Sequence, residues 1–63
     1  MEFLTDAQLQ ALGAAIQKAR TNRGIHSVRA PDGEVFAYQF NKEVYWHVHG
    51  SDHSKIARGT VPI

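Results

Sequence analysis

Residues 25–49 read IHSVRAPDGEVFAYQFNKEVYWHVH, and this stretch decides the fold. Apolar and polar residues alternate along it, and β-branched and aromatic types are frequent, as in half-buried β-strands. Two groups of turn-forming residues, Pro31-Asp32-Gly33 and Asn41-Lys42, interrupt the alternation. We therefore predict three antiparallel strands at about 25–30, 34–40 and 44–49.

The lengths of the two turns decide which side chains face the core, because a shift of one residue turns a whole strand over. A three-residue first turn with Gly33 in the left-handed conformation is the expected geometry. A two-residue second turn would move Trp46 to the opposite face, so we favour three residues there as well. The predicted inner face then consists of Val28, Phe36, Tyr38, Phe40, Val44, Trp46 and Val48.

The segment before the strands has the signals of one amphipathic helix at about 6–22. Thr5 and Gln8 have the spacing of a capping box, and Gly24 follows the last helical residue. Gly13 lies inside this helix, where glycine costs about 1 kcal/mol relative to alanine, so we expect either the close approach of another backbone or a glycine that is simply tolerated. The stripe predicted to cover the sheet consists of Leu9, Leu12, Ile16 and Ala19.

The last residues, 51–63, have a weaker pattern. Ser51 and Gly59 could begin and end a short helical turn, and the following residues suggest an extended tail. The predicted fold is a single α+β domain over residues 1–63, with element order αβββ and a helix packed on an antiparallel sheet.

Composition narrows the classes of function. The 63 residues include no cysteine, so disulfides and thiolate metal sites are excluded. The net charge of +1 is small for a dedicated nucleic-acid binder. No run approaches the ~20 apolar residues of a membrane span, and the N-terminus lacks the positive region of a signal peptide. We expect a cytoplasmic protein of the size typical of phage and mobile-element accessory proteins.

The predicted outer sheet face mixes aliphatic, aromatic and polar residues instead of carrying charges alone. Tyrosine and arginine concentrate binding energy at protein interfaces. We therefore expect a small non-catalytic interaction module, without a cofactor, that binds a protein partner or itself through this face. The predicted contact residues are Arg29, Val35, Ala37, Gln39, Tyr45, His47 and His49.

Two other functions remain open at this level. A sheet can enter a DNA groove, and a nucleic-acid contact would use the basic residues Lys18, Arg20, Arg23 and Arg29. Two histidines at i and i+2 on a strand point the same way, and a third ligand after a glycine turn would complete a zinc site. That metal site would consist of His47, His49 and His53.

Overall fold

The computed structural model describes residues 4–52 and 55–63, and the side chains of all of these except residues 55 and 56. The α+β class is confirmed, but the sheet has four strands instead of three. Helix α1 packs on one face of an antiparallel meander with strand order β1-β2-β3-β4. The elements are α1 (Asp6–Thr21), β1 (Ile25–Ala30), β2 (Gly33–Phe40), β3 (Glu43–Gly50) and β4 (Lys55–Pro62).

Helix α1 begins and ends close to where the sequence predicts. The capping box is present, because the Thr5 hydroxyl accepts from the Gln8 amide at 3.1 Å and Gln8 Oε1 accepts from the Thr5 amide at 3.0 Å. After Thr21 the chain turns away, and Gly24 takes a positive φ of 101°. No helix in the described part of the chain is long and apolar enough to cross a membrane.

The buried stripe of the helix differs from the predicted one. Ala11, Ala15 and Ala19 are buried at four-residue spacing, whereas Leu9 is 50% exposed. Leu12 and Ile16 pack only at the margin of the core. The alanines allow the helix to lie close to a sheet whose inner face carries valine and alanine, so close packing replaces bulk.

Gly13 has no close neighbour, so the expected approach of another backbone is wrong and the alternative, a tolerated glycine, agrees with the structure. A Cβ atom built on it would meet nothing within 4 Å, and the residue is exposed on the outer side of the helix. The free-energy cost of having glycine at this helical position is therefore not offset by a packing contact.

Both hairpin turns have two residues, so the prediction of three-residue turns is wrong. Ala30 pairs with Gly33 across the first turn, and Phe40 pairs with Glu43 across the second. In the second turn both central residues have positive φ, 56° at Asn41 and 67° at Lys42. This is the left-handed conformation of a type I′ hairpin turn, whose twist matches that of the strands.

Because both turns have two residues, β2 directs the opposite set of side chains toward the core from the predicted set. The side chains of β1 and β3 face as predicted. Val35 and Ala37 of β2 are fully buried with Val44 and Val48 of β3. Trp46 also packs against the core. The inner positions predicted for β1 and β3 are therefore correct, whereas those predicted for β2 are wrong. The three misplaced rings are Phe36, Tyr38 and Phe40.

The C-terminal segment forms β4, not a helical turn. Inner Ala57, Gly59 and Val61 alternate with the exposed Arg58 and Thr60, which is the period of a half-buried strand. Pairing with β3 supplies the backbone hydrogen bonds that a short isolated helix would need from itself.

Candidate interaction surface

The face of the sheet opposite α1 carries a group of aromatic rings. They come from alternate positions of the two central strands, and the cross-strand register sets them in rows. Phe36 lies opposite His47, and Tyr38 lies opposite Tyr45. We call this set the aromatic face; its members are Phe36, Tyr38, Phe40, Tyr45, His47 and His49.

Three of these rings form a cluster near the second turn. Tyr38 and Tyr45 are stacked, with centroids 5.4 Å apart and planes at 9°. Phe40 approaches Tyr45 diagonally at 6.2 Å and is tilted by 58°. Such pairs contribute roughly 0.5–1.5 kcal/mol each beyond their area burial. The cluster therefore stabilises the pairing of β2 with β3 near the second turn.

The other three rings form a second cluster toward the Gly50 end. Phe36 and His47 are stacked at 5.1 Å with planes at 18°. His49 packs edge-on against both, at 5.7 Å from Phe36 and 4.9 Å from His47. The two clusters follow one another along β2 and β3.

None of the described elements covers the aromatic face, because α1 and the core lie on the other side of the sheet. Phe40 is 63% exposed, and Ile25, which pairs with Tyr38 at the β1 edge, is 75% exposed. The other five members of the aromatic face are partly buried by their neighbours on the sheet.

Charged side chains lie at the margins of the face. Arg29 pairs with Glu34 at the Gly50 end, and Arg58 lies beside His47 on β4. Glu43 lies at the opposite end, where the Tyr45 hydroxyl donates to its Oε1 at 3.4 Å. The central rings are thus framed by polar groups, as in the core-and-rim arrangement of protein interfaces.

Two shallow depressions lie on this side of the sheet. One of about 550 Å³ lies at the Gly50 end, between Arg29, Glu34 and the Phe36–His47 stack. The other, of about 480 Å³, is bordered by Tyr38, Tyr45 and Arg58. Both are partly open to solvent.

The structure divides the predicted contact residues into two groups. Arg29, Tyr45, His47 and His49 are on the outer face, as expected. Val35 and Ala37 are in the core with no exposed surface, so no partner can reach them. Gln39 also faces inward, where its Nε2 donates to the carbonyl oxygens of Ala19 and Arg20, both at 3.3 Å. The error follows from the turn lengths, since β2 is inverted.

The predicted nucleic-acid residues do not lie together. Lys18, Arg20 and Arg23 are at the C-terminal end of the helix layer, and Arg20 donates to the Pro62 carbonyl oxygen at 2.9 Å. Arg29 is on the outer sheet face, on the other side of the sheet. The four cations therefore do not form one basic surface.

The predicted metal residues are only partly within the described residues. The His47 and His49 rings are neighbours on the aromatic face, but His53 lies outside the described ranges. Residues 4–52 and 55–63 contain no group of three or more histidine, cysteine or acidic residues arranged to hold a metal ion. The zinc site remains a prediction.

Sequence reasoning missed Phe36, Tyr38 and Phe40 as surface residues. The available signal was Asn41, because asparagine tolerates the left-handed conformation that a two-residue turn requires. Comparison with protein-family models, with curated proteins and with solved structures found no match for this chain.

Proposed function

We propose that this protein is a small non-catalytic interaction module that binds a protein through its aromatic face. The observation that carries the proposal is the uncovered double cluster of rings opposite the helix. A domain of 63 residues gains stability by burying its large rings inside. Here the inner face of the sheet has valines, alanines and Trp46, and the other rings of β2 and β3 are outside.

The composition of the face supports a protein partner. Tyrosine, phenylalanine and arginine are enriched at interfaces, and tyrosine combines a large apolar area with a polar tip. The charged residues of the face include both signs, Arg29 and Arg58 against Glu34 and Glu43. Such a balanced margin gives orientation to a protein contact rather than general affinity for a polyanion.

A comparative pull-down from the cells that express the protein tests this proposal. The bait variant Tyr38→Thr/Tyr45→Thr removes the central stack while keeping residues that favour strands. Leu9→Gln is the matched control, because Leu9 is half exposed on the helix layer. We expect a partner retained by wild type and by Leu9→Gln but lost by the double variant. Equal capture by all three baits would contradict the proposal, provided that circular dichroism shows all three folded.

Single-stranded nucleic acid is a second candidate, favoured by one observation. Nearly parallel rings on two central strands offer bases a stacking platform, and Arg29 and Arg58 lie on the same face. Stacking contributes about 1–3 kcal/mol per base, and phosphate contacts make binding salt-dependent. Fluorescence anisotropy with a labelled oligonucleotide would then show affinity that falls with salt and with Arg29→Ala but not with Lys18→Ala.

A further inference from the structure

We infer that His47 and His49 hold a late first-row divalent metal ion, Zn²⁺ or Cu²⁺, between their two imidazoles, with water at its other coordination positions. This site goes beyond the proposed function, and it requires neither His53 nor a protein partner. Imidazole nitrogen is a ligand that suits these metals. The two residues occupy positions i and i+2 of β3, so their side chains leave the same face of the sheet.

The separation of the two rings fits one shared ion. Side chains at i and i+2 leave an extended strand roughly 7 Å apart, but the two ring centroids are only 4.9 Å apart, so the rings lean toward each other. A metal–nitrogen bond of about 2.0–2.1 Å puts the ion roughly 3.2 Å from each ring centre, so two imidazoles at a right or tetrahedral angle have centres roughly 4.5–5.2 Å apart. The observed separation lies within that range.

The surrounding strands hold the two imidazoles in place. Phe36 stacks on His47 at 5.1 Å and contacts His49 edge-on at 5.7 Å. The register between β3 and β4 shifts between Val48 and His49, where β4 has one residue more than β3. An extra residue of this kind redirects side chains and occurs frequently beside functional sites. Ligands that are positioned before the ion binds lose less conformational entropy when they coordinate it.

An ion can reach the pair from solvent. Both imidazoles line the depression of about 550 Å³ at the Gly50 end, which is partly open. Water can therefore enter and complete the coordination of an ion that has two ligands from the chain.

The charges near the pair indicate which ions it accepts. Glu34 lies opposite His49 and beside Arg29, and Arg58 lies opposite His47. Because these described cations outnumber the carboxylate, coordination by nitrogen holds the ion, and general attraction for cations does not. We therefore expect no binding of Mg²⁺ or Ca²⁺, which take oxygen ligands.

Isothermal titration calorimetry of the full chain with ZnCl₂, CuCl₂ and MgCl₂ tests the inference. Wild type should bind Zn²⁺ and, more tightly, Cu²⁺, and should not bind Mg²⁺. His47→Gln and His49→Gln should each weaken the binding of both transition metals about tenfold or more, since even a residue that only supports a ligand contributes roughly 10–100-fold. Electron paramagnetic resonance of the Cu²⁺ form should show coupling to imidazole nitrogen that each variant reduces.

His26→Gln is the matched control, because it removes an imidazole from β1, where His26 Nε2 is hydrogen-bonded to the Asn22 carbonyl oxygen. His26→Gln and His53→Gln should both bind Zn²⁺ within about threefold of wild type. A wild type that does not bind Zn²⁺ overturns the inference, as does wild-type affinity in folded His47→Gln or a tenfold loss in His53→Gln. None of these results bears on the proposed function, which protein capture by Tyr38→Thr/Tyr45→Thr tests separately.

Discussion

Two glutamine side chains connect the two ends of the helix to the sheet layer through hydrogen bonds. Gln8 is buried; its Oε1 accepts from the Thr5 amide, and its Nε2 donates to the Asp32 carbonyl oxygen at 3.0 Å. Gln39, on β2, connects the other end of the helix to the sheet, because its Nε2 donates to the carbonyl oxygens of Ala19 and Arg20. Each thus satisfies helix-end groups that would otherwise lack partners. The contact between Gln8 and Thr5 can be predicted from their spacing in the sequence. The contact of Gln39 with the helix depends on which face of β2 is directed toward the core.

Gln8→Ala is expected to destabilise the protein by about 1–3 kcal/mol, because it removes the hydrogen bonds of a buried side chain to the Thr5 amide and the Asp32 carbonyl oxygen. Urea denaturation followed by circular dichroism measures the loss. Gln10→Ala is the control, since Gln10 is exposed on the same helix. Equal free energies of unfolding for Gln8→Ala and Gln10→Ala would contradict the role given to Gln8.

Two glycines give a pair of opposite predictions. A Cβ atom on Gly59 would lie 2.7 Å from the Trp46 ring, whereas one on Gly13 would meet nothing within 4 Å. Gly59→Ala should therefore cost about 1–3 kcal/mol through overpacking, while Gly13→Ala should stabilise the helix by about 1 kcal/mol. Thermal unfolding followed by Trp46 fluorescence separates them, and a Gly59→Ala protein as stable as wild type would refute the contact.

The two hairpins show which features of the secondary-structure elements can be predicted from the sequence and which cannot. The helix cap, the three first strands and the outward positions of Tyr45 and His47 follow from local patterns. The inversion of β2 does not, because Pro31-Asp32-Gly33 suits either turn length. Gly33 is needed for space rather than for positive φ, since a Cβ atom there would collide with the His49 carbonyl oxygen. That contact between strands cannot be seen in a linear pattern.

A substitution in the second turn tests whether this turn has two residues. Lys42 has a φ of 67°, a conformation that costs a residue with a Cβ atom roughly 1 kcal/mol and costs glycine little. Lys42→Gly should therefore raise the free energy of unfolding by about 0.5–1 kcal/mol relative to Lys42→Ala, which removes the same charge but keeps the Cβ atom. Guanidinium titrations of both variants measure the difference, and a more stable alanine variant would exclude the two-residue turn.

The whole molecule consists of a helix layer, a small-residue core and a ring-covered outer sheet. A core of valines and alanines gives a 63-residue chain limited stability, and the protein partner proposed for the outer sheet would add buried area. If that partner is a second copy, unfolding is linked to dissociation. The melting temperature of wild type should then rise with protein concentration, and that of Tyr38→Thr/Tyr45→Thr should stay constant. Melting curves that are independent of concentration for wild type would contradict self-association through the aromatic face.

The outward direction of the β2 rings underlies every functional statement above, and nuclear Overhauser effects measure it directly. Ring protons of Phe36 and Tyr38 should show contacts to His47 and Tyr45 and none to the methyl groups of Ala11 and Ala15, which are buried on the opposite side of the sheet. Contacts between these rings and the alanine methyl groups would place the rings beneath the helix and contradict the existence of the aromatic face.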